Sequence, residues 1–245
     1  MKLLIDIGNS AIKWAILKSD QITAQQSQLY KHDNFKTILT SIWLQMEIPV
    51  ESVWISNVAG PIITEWITKN WKCQIHFIGS TYKECGVINA YHKPEQLGVD
   101  RWLVLIAAYD IFKSDPICIV DCGTAITIDV LSVNGKHQGG LIIPGINTMQ
   151  ESLLDNTYAL KQLNAEIVST NKNMLLAYDT HRAINLGSLY AVIGLIEYVI
   201  SNLQPIKLII TGGNAPALTS LLTRPYTYIP DLVLQGLRVI INHRL

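Results

Sequence analysis

Asp6-Ile7-Gly8-Asn9-Ser10 and Asp121-Cys122-Gly123-Thr124 each set a carboxylate two residues before a glycine, at the end of an apolar run. Such a carboxylate can hold a magnesium ion or one of its waters, and the glycine lets backbone N–H groups close on phosphate oxygens. Asn9, Ser10 and Thr124 add short donors to the cradle. One Asp-x-Gly is also what an ordinary turn prefers. A second copy, offset by 115 residues, makes the pair a candidate for gripping a polyphosphate. Asp100 precedes a helical run opening at Arg101, where a carboxylate serves as N-cap and is kept ionised by the helix dipole. Thr211-Gly212-Gly213-Asn214 follows an apolar run and precedes Pro216. A base, ribose or phosphate could lie against that bare backbone, although a plain strand-to-helix turn has the same sequence. Neither G-x-x-x-x-G-K-[ST] nor G-x-G-x-x-G occurs, so P-loop and Rossmann sites are not supported.

The elements that position these residues follow from apolar spacing. Lys2 to Ile7 reads as a strand, and Ile12, Trp14 and Ile16 alternate with polar or small residues in a second one. Val53 to Ser56 and Ile75 to Ile78 read as strands around a helix opening at Pro61, and Arg101 to Phe112 as a helix. Lys113-Ser114-Asp115-Pro116 is the expected boundary between two domains, 1–114 and 115–245. Beyond it the pattern starts again: Ile117 to Val120, a polar turn, and an alternating run from Ile126 to the hairpin signal Asn134-Gly135. Two similar lobes, each opened by strand, Asp-x-Gly turn and strand, are the simplest architecture.

Composition narrows the class. At 245 residues, against about 150 per domain, one large domain or two intimate lobes is expected. Acidic and basic residues balance at 19 each, which argues against a dedicated nucleic-acid binder. Hydrophobic residues make up 49% of the chain and charged residues 16%, enough apolar content for a large core. Asp6 interrupts the N-terminal apolar run before a signal-peptide core could form, so a cytoplasmic protein is expected. Only 14 residues separate Arg182 from Glu197 in the most lipid-like stretch, against the 18 or so of a membrane span; a buried helix and no membrane are expected. Four cysteines without a C-x-x-C pair argue against a disulfide scaffold or zinc cage, and the six scattered histidines are expected to be surface or structural.

The two Asp-x-Gly loops and the late Thr-Gly-Gly resemble the phosphate-1, phosphate-2 and adenosine motifs of the acetate kinase, hexokinase, Hsp70 and actin superfamily. Within it, Asp6 to Ser10, Gly98-Val99-Asp100-Arg101, Asp121 to Asp129 and Gly139-Gly140-Leu141-Ile142-Ile143-Pro144-Gly145 resemble type III pantothenate kinase, and the likeness runs on to the Asp231 to Leu237 segment. Ser10 stands where that family usually has threonine and keeps the hydroxyl. The resemblance implies an α/β protein of two ribonuclease-H-like lobes with mixed sheets flanked by helices, the actin-like ATPase fold. It also implies ATP-dependent phosphorylation of pantothenate, the first step toward coenzyme A. Asp100 then corresponds to the general base. Asp6, Ile7, Gly8, Asn9, Ser10, Ala11, Ile12, Lys13, Thr124, Gly212 and Gly213 correspond to the ATP site, with Asp6 the magnesium contact. Asp121 matches the position that binds a monovalent cation, potassium or ammonium. Tyr91, Gly98, Val99, Asp100, Arg101 and Thr180 match the pantothenate-binding positions.

Two other readings compete. A sugar or acetate kinase is disfavoured because this length leaves little room for the insertions those enzymes carry. A relative of the Bvg accessory factor, a regulator sharing the fold, is disfavoured by the intact Asp6, Asp100 and Asp121 and by the missing basic patch. Assembly is read from His181 to Leu203, whose apolar residues lie on more than one face. Such a helix needs cover nearly all round, and a homodimer through it is expected, with Val192 at the contact and Thr180 near the partner's pocket.

Overall fold

The computed structural model describes residues 1–30, 34–46, 49–113, 115–158, 160, 175–203 and 206–244. They divide into two compact units: Met1–Ser114 with Leu131–Gly139 and Asp231–Leu245, and Asp115–Val130 with Gly140–Pro230. The two segments returning to the first unit depart from contiguous domains at 1–114 and 115–245, and Ser114 of the expected boundary lies outside the described residues.

The first unit is built on β1 (Lys2–Ile7), β2 (Ala11–Lys18), β3 (Gln21–Leu29), β4 (Ser52–Asn57) and β5 (Gln74–Phe77), in the sheet order β3-β2-β1-β4-β5. β1 pairs antiparallel with β2 and parallel with β4. Leu3 to Ile7 are buried without a break, as a central strand covered on both faces requires. β3 is exposed at nearly every position and polar, as suits an edge strand. Ser19 and Asp20, both at positive φ (47° and 66°), make the tight β2–β3 turn. α1 (Phe35–Leu44) and α2 (Pro61–Asn70) join a core with Leu3, Ile5 and Ile55. A small ribbon, β6 (Lys83–Glu84) with β7 (Val87–Ile88), precedes α3 (Val99–Ile111).

The second unit repeats this plan. Its strands β8 (Ile117–Cys122), β9 (Ala125–Leu131), β10 (His137–Pro144), β11 (Lys207–Thr211) and β12 (Thr227–Tyr228) lie in the order β10-β9-β8-β11-β12. Each strand takes the place of its counterpart seven earlier, and β8, β11 and β12 run parallel as β1, β4 and β5 do. The weak repeat in the sequence is therefore a repeat of topology. α4 (Ile146–Asn156), α5 (Thr180–Ser201) and α6 (Ala215–Thr219) accompany this sheet. Gly135, at φ 72°, closes the predicted hairpin, whose tip belongs to the first unit.

α7 (Leu232–Arg244), expected in the second lobe, belongs to the first, where it packs on α3 and β1. Gly236 makes that approach possible, because a Cβ there would collide with the carbonyl of Leu103. Its own chain covers α5 on one side only. Leu189, Val192, Ile196 and Ile200 join the core of the second unit and Leu186 and Ser188 are also buried, whereas Ala183, Gly187, Tyr190, Ala191, Gly194 and Tyr198 are exposed. Among the described residues it is the one helix long and apolar enough to cross a membrane, at 22 residues. The 14 residues between its charges understate its length.

Candidate active site

In the first unit the C-terminal end of β1 carries Asp6, 8% exposed, in register with Lys13 on β2 and Ser56 on β4. Register partners share a sheet face, so a carboxylate, an ammonium and a hydroxyl stand side by side. Ile7 and Ile12 are fully buried and serve as core, and Ala11 opens β2. Between them the loop is tied down at both ends: the Gly8 N–H donates to the Ala11 carbonyl at 3.0 Å, and Tyr30 donates through its hydroxyl to the Gly8 carbonyl at 2.7 Å and through its N–H to that of Ser10 at 3.0 Å. Asn9 and Ser10 stay exposed at the surface of the loop. Lys13 donates to the Asp231 carboxylate at 2.7 Å, fixing β2 to the start of α7. Neither Tyr30 nor Asp231 stands out in the sequence by itself; only the family resemblance reaches the Asp231 segment.

α3 begins two residues earlier than its sequence indicates. Gly98 is the N-cap, its carbonyl accepting from the Trp102 N–H at 3.0 Å, and Asp100 is the second helical residue rather than the cap. The dipole still favours a carboxylate in this first turn. Asp100 Oδ1 accepts from the Arg101 N–H at 2.8 Å. A Cβ on Gly98 would lie 2.5 Å from that same oxygen, so the glycine leaves the carboxylate room to fold back. Val99 points into the core. Arg101, 5% exposed, donates through Nη1 to the Tyr91 hydroxyl at 2.9 Å, and its Cζ lies 5.6 Å from the Tyr91 ring centre. Tyr91, Gly98, Asp100 and Arg101 thus form one cluster.

The second unit gathers Asp121, Thr124 and Gly212. The Gly123 N–H donates to the Ala125 carbonyl at 3.1 Å, as Gly8 does to Ala11. Two further segments close on this turn. Gly212, at φ 93°, packs where a Cβ would strike the Asp121 carboxylate and the Cys122 backbone, and the Asn214 N–H donates to the Cys122 carbonyl at 3.0 Å. Gly145 donates to the Thr124 carbonyl at 2.8 Å, and its Cβ would lie 2.5 Å from the Gly123 and Thr124 carbonyls. Thr148 donates to the same Thr124 carbonyl at 2.9 Å. Gly213 is exposed, and Thr180 is exposed at the first position of α5, whose cap Asp179 accepts from the Arg182 N–H at 2.9 Å. Thr180 takes no part in the hydrogen bonds that close on the turn. Asn214 and Gly145 are the last residues of two glycine-rich motifs visible in the sequence, Thr211 to Asn214 and Gly139 to Gly145.

Burial, with the Asp121 charge beside it, pushes the Cys122 thiol up to about 12, so this loop presents a neutral thiol rather than a nucleophile. Among the described residues no three His, Cys, Asp or Glu side chains converge as metal ligands. One carboxylate with phosphates and waters is, however, the donor set magnesium accepts. Asp6, nearly buried in register with a lysine and a hydroxyl, fits that role.

Comparison with known proteins identifies the family and the fold. The type III pantothenate kinase family matches residues 2–202. The protein named type III pantothenate kinase from Nitrosococcus oceani is 39% identical, covering 97% of this chain and 92% of its own, and that from Nitrosomonas eutropha is 36% identical, covering 97% and 93%. Among solved structures, a protein assigned to the Baf family of transcriptional activators from Campylobacter jejuni superposes with a TM-score of 0.64 at 23% identity, over 99% of this chain and 98% of its own. The activator of 2-hydroxyisocaproyl-CoA dehydratase from Clostridium difficile, solved with ADPNP, does so with a TM-score of 0.55 at 14% identity, over 99% and 93%. At these identities the structures establish the fold, that of the actin-like ATPases and sugar kinases.

Proposed function

The chain belongs to the type III pantothenate kinase family, and from that premise we propose that it transfers the γ-phosphoryl group of ATP to the primary hydroxyl of pantothenate, giving 4'-phosphopantothenate for coenzyme A synthesis in the cytoplasm. The observation that carries this reading is the Asp100–Arg101–Tyr91 cluster at the start of α3. Asp100 has one carboxylate oxygen held by a backbone N–H and lies in the first turn of α3, where the helix dipole favours negative charge. It accepts the hydroxyl proton as the oxygen bonds to the γ-phosphorus and the bond to the ADP oxygen breaks. Phosphoryl transfer of this kind depends mainly on alignment and charge stabilisation, so Asp100 orients the hydroxyl as much as it deprotonates it. Arg101, nearly buried and braced by Tyr91, supplies the cation for the pantothenate carboxylate.

Asp6, Gly8, Asn9, Ser10 and Lys13 in the first unit, and Thr124, Gly212 and Gly213 in the second, are assigned to the nucleotide. Magnesium, held through Asp6, would neutralise charge on the transferring phosphates. Asp121 would hold potassium or ammonium, at a carboxylate fixed by the close approach of Gly212. Thr180 is assigned to pantothenate. We further assign the exposed small residues of α5 to contact with a second copy. The balanced charge supports a metabolic enzyme over a nucleic-acid-binding regulator.

Purified protein with pantothenate and magnesium ATP, with and without potassium, tests this reading by direct assay of 4'-phosphopantothenate. Product formed faster with potassium or ammonium than with sodium is expected. ATP turnover on other alcohols but not on pantothenate would overturn it, and a rate indifferent to the monovalent ion would remove Asp121 from cation binding.

A further inference from the structure

His137, the first residue of β10, is fully buried, and the catalytic scheme above makes no use of it. It belongs to the first unit together with Tyr91 and Arg101. Its ring lies nearly parallel to that of Tyr91, with centres 6.1 Å apart and planes 13° apart, an offset stack of the kind aromatic pairs favour. Its Nδ1 accepts from the N–H of Ala90, the residue before Tyr91, at 3.5 Å. The loop bearing Tyr91 is fixed on its other side by Asn89, also buried, whose Oδ1 accepts from the Tyr91 N–H at 2.9 Å and whose amide donates to the Thr81 and Pro94 carbonyls at 3.2 and 3.3 Å. The hairpin carrying His137 is clamped to the same region, since the Ile88 N–H donates to the Gly135 carbonyl at 2.9 Å and Gly135 leaves no room for a Cβ beside the Gly86 carbonyl and the Tyr109 ring.

We propose that His137 is a positioning residue for the acceptor substrate: its ring sets the plane of Tyr91, and Tyr91 in turn holds the Arg101 guanidinium at the angle that receives the pantothenate carboxylate. This rests on the assignment of Tyr91 and Arg101 to pantothenate. A side chain with four rotatable bonds loses much of its freedom when its head group is braced. The predicted defect is therefore in acceptor binding rather than in the nucleotide or the chemical step.

Two substitutions separate ring from acceptor. His137→Phe keeps a stacking ring and loses Nδ1, whereas His137→Asn keeps an acceptor near the Nδ1 position and loses the ring. With protein labelled by 3-fluorotyrosine, the Tyr91 fluorine resonance, assigned by its loss in Tyr91→Phe, should move in His137→Asn, because the neighbouring ring current is gone, and stay closer to its original position in His137→Phe. His137→Asn should raise KM for pantothenate about three- to tenfold, the strength of one aromatic pair, with kcat and KM for ATP little changed. His137→Phe should recover most of that loss. Should His137→Phe fail to fold, the resonance and the KM split in His137→Asn still decide the matter. An unmoved resonance would show that the stack is not formed. A moved resonance with unchanged KM for pantothenate, or with both substrates affected alike, would show that the ring does not act through substrate positioning. Unsubstituted protein that turns over no pantothenate would bring down the functional reading and this proposal together, whereas the other adverse results fall on His137 alone.

Discussion

Asp100 bonds to the backbone N–H of its neighbour, and an asparagine oxygen can make the same bond. Asp100→Asn should therefore fold normally and bind ATP, yet lose at least about a hundredfold in kcat, the usual scale of a positioned base; steady-state kinetics beside calorimetric ATP binding checks this, and near-normal turnover would leave Asp100 without its role. A second expectation concerns the thiols. Burial pushes both Cys118 and Cys122 up to about 12, with nearby Asp129 and Asp121 adding to the effect. At pH 8 neither should react with a thiol reagent while the protein is native, and both should react in denaturant. Mass spectrometry of the labelled protein gives the answer, and rapid native labelling of Cys122 would mean that the second loop opens readily. Residues of this kind are legible in the sequence where a charge interrupts an apolar run, as at Asp6 and Asp121. Tyr91 and His137 are not. Tyr91 lies in a loop without periodicity, and His137 acquires its meaning from a neighbour 46 positions away in the chain.

Strands with an apolar signature, β1, β2, β4, β8 and β11, are legible in the sequence because burial on one or both faces dictates their residues. β3 is not. Gln21–Leu29 is an exposed edge whose glutamines obey no apolar alternation, and pairing with β2 makes it a strand. α7 is visible as a segment but not as part of the first unit, since chain order says nothing about a helix that crosses back. Its seating depends on Gly236. A methyl group there would meet the Leu103 backbone, so Gly236→Ala should destabilise the protein by about 1–3 kcal/mol, the cost of overpacking a close contact. Chemical denaturation measures it, and an unchanged midpoint would show that α7 can shift outward freely.

The exposed stripe of α5 sets the expectation for the assembled molecule. Ala183, Gly187, Ala191 and Gly194 offer a smooth surface to a second helix, and in a two-fold dimer the same stripe would meet itself. Val192, the contact expected from the sequence, is buried in its own chain, so a charge there tests folding. Ala191→Glu is the better probe. Sedimentation at micromolar concentration should find a dimer for the unsubstituted chain and a folded monomer for the variant; a monomer in both cases would leave the stripe unassigned. The discontinuity of the first unit has a different consequence, for synthesis. Its sheet emerges from the ribosome early, but α7, which covers β1 and α3, is made only after the whole of the second unit. At ordinary elongation rates the wait is on the order of ten seconds, during which an apolar surface is finished on one side and bare on the other. The second unit ends at Pro230, so all of its strands have been made before α7 begins. The part of the chain translated first is thus the last to be completed, and the half bearing Asp6 and Asp100 is the one that awaits its final helix.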